Sequence, residues 1–61
     1  MDMSNEHIRE IVESAFRNGK QELEIPKMRD LKVNLEICRY IREEFGFHTL
    51  IRGKNIIVHL R

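Results

Sequence analysis

Sixty-one residues with a formal net charge of +1 leave room for one small domain and favour no strongly charged partner. Apolar residues at 41% against 34% charged exclude a disordered tail, and a single cysteine, Cys38, excludes an internal disulfide and a cysteine-rich zinc site. The longest apolar run, Ile56–Val58, is far shorter than the ~20 residues that cross a bilayer, and MDMSNEHIRE has neither the basic nor the apolar region of a signal peptide.

A soluble, cytoplasmic protein with no membrane partner is therefore expected, one domain over 1–61 with residues 1–4 disordered. Ser4 suits an N-cap, with Glu6 in the first turn where a carboxylate favours the helix dipole. Ile8, Ile11, Val12 and Ala15 then recur at i, i+3, i+4 and i+7, with Phe16 at the edge of that stripe, and Asn18-Gly19 closes it. The spacing predicts a helix over 5–18. Gln21–Ile25 alternates, Leu23 and Ile25 on one face and Glu22 and Glu24 on the other, so it predicts a short strand that Pro26 ends.

A second helix is expected to begin between Pro26 and Asp30 and to stop at Gly46. At ~100° per residue, Leu31, Leu35, Cys38, Ile41 and Phe45 gather on one arc, which is expected to face the sheet. Arg42 falls at the edge of that arc, its stem covering apolar surface. Val33, Ile37 and Tyr40 form a second line at i, i+4 and i+7. Ile37 lies near enough to the main arc to reach the first helix; Val33 and Tyr40 do not, and their line is expected to be a contact surface.

The last sixteen residues, GFHTLIRGKNIIVHLR, read as a β-hairpin about Gly53-Lys54, with Gly first as in a type II′ turn. Counting outward pairs Arg52 with Asn55, Ile51 with Ile56, Leu50 with Ile57, Thr49 with Val58, His48 with His59 and Phe47 with Leu60. One face then collects Phe47, Thr49, Ile51, Ile56, Val58 and Leu60, and the other His48, Leu50, Arg52, Asn55, Ile57, His59 and Arg61. A one-residue slip would mix the two. Ile56-Ile57-Val58 suits a central strand, and the strand–helix–strand crossover makes the outer two strands parallel. The expected fold is α+β, a two-layer α-β-α-β-β sandwich with two helices on one face of a three-stranded sheet. The other strand order, with the first strand beside the Phe47 strand, stays open.

Charge is unevenly distributed. Residues 1–24 carry six acidic side chains against three basic ones, while 46–61 carry Arg52, Lys54 and Arg61 and no acid. The candidate nucleic-acid contacts are accordingly His48, Arg52, Lys54, His59 and Arg61, although the face offers no aromatic for base stacking beyond its histidines. The paired His48 and His59, with Glu22 or Glu24 alongside, have the composition of a metal triad. No pocket or nucleophile accompanies them, so no catalytic residue, metal or cofactor is assigned and no enzyme is expected. Val33, Ile37, Tyr40, Leu50 and Ile57 are the apolar residues surplus to a two-layer monomer, hence the candidate dimer or partner interface.

An amphipathic helix ending in Asn18-Gly19-Lys20, a short strand, a helix running into Phe45-Gly46-Phe47 and a terminal Gly-turn hairpin together resemble the small accessory proteins of phages and other mobile elements. The resemblance spans nearly the whole chain and transfers no functional residue. It implies a stoichiometric binder or inhibitor of a host macromolecule, or a minor virion or regulatory component. The resulting expectation is a small non-enzymatic binding protein, a homodimer, with a nucleic-acid-binding module using the basic hairpin as the alternative.

Overall fold

The structure, a computed structural model, describes residues 4–60. Its elements run α1 (Asn5–Arg17), β1 (Glu22–Pro26), α2 (Leu31–Phe45), β2 (His48–Arg52) and β3 (Asn55–His59). The strands form one antiparallel sheet in the order β1-β3-β2, with α1 against β1, α2 against β2 and the helices touching each other. This is the two-layer α+β sandwich, with the last strand in the middle.

α1 forms where its stripe and both caps agree. The Ser4 hydroxyl accepts from the His7 N–H at 3.2 Å. Ile8, Val12 and Ala15 are buried. At the other end Gly19 (φ 77°) takes the left-handed conformation, so that its N–H reaches the Phe16 carbonyl and the Lys20 N–H reaches Ala15, both at 3.1 Å. Residues 1–3 of the segment expected to be disordered lie outside the described residues. Ser4 is among the described residues, and its side chain holds the helix start.

The hairpin has the register that counting from Gly53-Lys54 gives, His48↔His59 through Arg52↔Asn55. Gly53 has φ 58° and no described non-glycine residue has positive φ, as a type II′ turn requires. On the other side of β3, β1 pairs from Glu22↔His59 to Pro26↔Asn55. Ile56, Ile57 and Val58 are at most 1% exposed, as befits a strand with neighbours on both edges.

The ladder also fixes which backbone groups face outward. Leu60 N–H donates to the Gln21 carbonyl and Lys27 N–H to the Lys54 carbonyl, both at 2.9 Å. Bonded and non-bonded pairs alternate along an antiparallel ladder, so Leu23 and Ile25 point their backbone groups at β3 while Glu22, Glu24 and Pro26 point theirs out. Pro26 thus continues the strand instead of ending it, since its missing N–H lies on the free edge. By the same alternation β3 bonds β2 through Asn55, Ile57 and His59, which leaves the backbone groups of Thr49 and Ile51 on the outer edge of β2.

α2 departs from expectation in its rotation. Asp30 caps it, accepting from the Lys32 N–H at 2.9 Å, and Gly46 (φ 74°) closes it. The buried side is Asn34, Ile37, Cys38 and Ile41, whereas Leu31 and Leu35 are 61% and 54% exposed. α2 packs on both the sheet and α1, so its buried centre turns toward the angle between them, about 50° from the expected arc at ~100° per residue. Val33 and Tyr40 come inward with it and pack, half-buried, on the core.

Candidate functional site

The two apolar strips that the sequence marks as surplus are mostly consumed by the monomer. Ile37 is 3% exposed and belongs to the core, and Val33 and Tyr40 pack beside it. Tyr40 faces α1: Arg9 lies against it, and the Arg9 pKa is raised chiefly by Tyr40 and, less strongly, by Glu44, whose carboxylate stands 3.6 Å away. Tyr40 therefore helps to join the helices. On the outer face of the sheet Ile57 is 1% exposed, because Glu24 and Leu50 flank it in register and the central strand has side chains on every side. Leu50 is half-buried. The assignment of Ile37 and Ile57 to an accessible interface is thus corrected by burial.

The exposed large apolar residues lie elsewhere: Phe16, Leu31, Leu35 and Ile51. Phe16 stacks on Phe47 (centroids 5.8 Å apart), which stacks on Phe45 (5.6 Å), and the three rings line a recess of about 220 Å³ at one end of the helices. Leu35 and Ile51 line one groove of about 430 Å³, running between α2 and β2 with Cys38, Arg39, Arg42, Thr49 and Leu50. Leu31 stands one turn before Leu35 on the same side of α2. The groove opens beside the free edge of β2.

Its electrostatics are one-sided. Among the described residues no acidic side chain lines it. Arg39 is paired with Glu43 at 3.0 Å on the solvent side. Among the described residues neither Arg42 nor Arg52, which is exposed at the end of β2, has a carboxylate within ion-pair distance. Sequence reasoning missed this site because Leu31 and Leu35 look like core. The signal was present in the width of the apolar surface: Val33, Tyr40, Ile37, Ile41, Phe45, Cys38, Leu31 and Leu35 together span roughly 220° of the helix, more than one partner can cover.

The histidine pair forms as the register requires, with ring centroids 5.6 Å apart. His59 Nδ1 is 3.4 Å from Glu22 Oε2. Among the described residues no group of three or more His, Cys, Asp or Glu is arranged to hold a metal ion. His48, Arg52 and Lys54 are exposed and His59 is half-buried, while Arg61 lies outside the described residues. Glu22 and Glu24 share their face, which offsets its positive charge toward a phosphate backbone. Among the described residues no helix is long and apolar enough to cross a membrane. Set against family models, curated proteins and solved structures, the chain matches none of them.

Proposed function

We propose that this chain is a non-enzymatic protein-binding module that docks its partner, a second copy or another protein, along the flank shared by α2 and β2. The observation that supports the reading is the coincidence of exposed Leu31, Leu35 and Ile51 with an edge strand that turns backbone groups outward and has no further strand beside it among the described residues. Single exposed leucines are ordinary on a protein surface; Leu35 and Ile51 facing one groove beside a free edge, with Leu31 one turn earlier on the same side of α2, are not. A small domain gains more from covering such a flank than a large one, because less of its own surface is buried on folding. The resemblance to mobile-element accessory proteins adds a host macromolecule as the class of partner.

The test is a comparison of the wild type with a Leu35→Glu, Ile51→Lys double variant. Both positions are exposed on the flank, so the thermal midpoint is expected to move little. Light scattering across a concentration series reads self-association, and affinity capture from the native host reads a foreign partner. The expected result is that whichever association the wild type shows is lost in the folded double variant. Associations that survive both substitutions would place the binding surface elsewhere.

A further inference from the structure

We infer that the flank takes an extended, acidic segment of another protein, added to β2 as a fourth strand with apolar residues at alternate positions. The inference rests on the docking role proposed above and names the chemistry of its partner. Three observations on separate parts of the domain carry it.

The first is the contrast between the two sheet edges. β1 presents Glu22, Glu24 and a proline, the devices that discourage a further strand. β2 has no proline and no acid, and turns the N–H and C=O groups of Thr49 and Ile51 outward. The second is the shape beside that edge. Side chains of an added strand alternate, so those on the inner side lie against Leu35 and Ile51 while those on the outer side pass Arg52.

The third observation is charge, and it decides between the two kinds of occupant. Arg42 stands on the helix side of the groove and Arg52 at the end of the strand, neither with an ion pair among the described residues. A second copy paired through β2 would bring the same unpaired cations to the seam and no acid to meet them. A partner strand with carboxylates at its outer positions passes Arg52 and neutralises it.

The test uses the full chain and a short fluorescent peptide of alternating Glu and Val, read by anisotropy. Saturable binding is expected, weakening as salt rises, with little binding of the matching Lys and Val peptide. Arg52→Glu is expected to cost on the order of tenfold in affinity. Thr49→Pro removes an outward N–H and no ladder bond, so the sheet is retained and peptide binding is expected to be lost. Equal binding of the two peptides, or full binding to the Thr49→Pro variant, overturns the inference, as does a single-stranded oligonucleotide that displaces the peptide. If the Glu and Val peptide does not bind but light scattering finds a dimer that the Leu35→Glu, Ile51→Lys variant loses, the acidic-strand inference falls and the docking surface stands.

Discussion

Asn34 sits in the first turn of α2 and is 1% exposed, and its amide does for one loop residue what a neighbouring strand would do. Oδ1 accepts from the Met28 N–H at 2.7 Å, and Nδ2 donates to the Met28 carbonyl at 3.0 Å. The turn between β1 and α2 is thereby tied to the helix it precedes. Nothing in the sequence marks this residue, because an asparagine inside a helix reads as a polar surface position, and only the rotation of α2 carries it inward. Replacing Asn34 with Ala removes both bonds and leaves two backbone groups without partners, at an expected cost of ~2–3 kcal/mol in denaturant unfolding. Asn34→Asp is more diagnostic. A protonated carboxyl can reproduce both bonds, whereas a carboxylate cannot donate to Met28 and is buried, so folding raises its pKa above the ordinary ~3.9. The unfolded chain then ionises first, and the variant should be most stable below that value and lose stability as pH rises through it. A stability profile parallel to that of the wild type would contradict this account.

At the scale of elements, the hairpin and α2 show opposite degrees of legibility. The hairpin's register follows from Gly53-Lys54 and from strict alternation, where any slip reverses every side chain, so local chemistry determines the result. The rotation of α2 has no such pin. Its apolar surface is too wide for one partner, and which part is buried depends on where α1 lies, a tertiary fact. The candidate interface inherited that error, since the residues counted as surplus, Val33, Ile37 and Tyr40, are those that α1 and the sheet claim. Two truncations on this one helix test the rotation. Ile37→Ala opens a cavity in the core and should cost about 2–5 kcal/mol, while Leu35→Ala should stay within about 0.5 kcal/mol. Comparable losses at the two sites would return the buried face to the arc through Leu35.

For the whole molecule the question is how much one layer of core supports. A chain of this length is expected to unfold with only ~3–9 kcal/mol, at about 0.05–0.15 kcal/mol per residue. The core joins α1, α2, β1 and β3 in a single cluster that includes Ile56 and Val58, while Ile57, equally hidden, lies outside it on the uncovered face. Burial alone does not distinguish these neighbours; the layer does. Truncating Ile56 to Ala leaves a hole enclosed between sheet and helices, which water cannot fill well, and ~2–5 kcal/mol of the small total should be lost. Since 1 kcal/mol moves the midpoint of a domain this size by roughly 4–8 °C, the Ile56→Ala chain should melt tens of degrees lower or lose its cooperative transition altogether. Ile57→Ala removes the same atoms beneath a cover made only of flanking side chains such as Leu50 and Glu24, which can close over the gap or admit water. Its cost should be nearer ~1–2 kcal/mol, with a cooperative melt retained. Thermal unfolding of the two variants, followed by circular dichroism, separates the faces. Equal midpoints would mean that the outer face of the sheet is covered as firmly as the inner one, and that the two-layer account is incomplete.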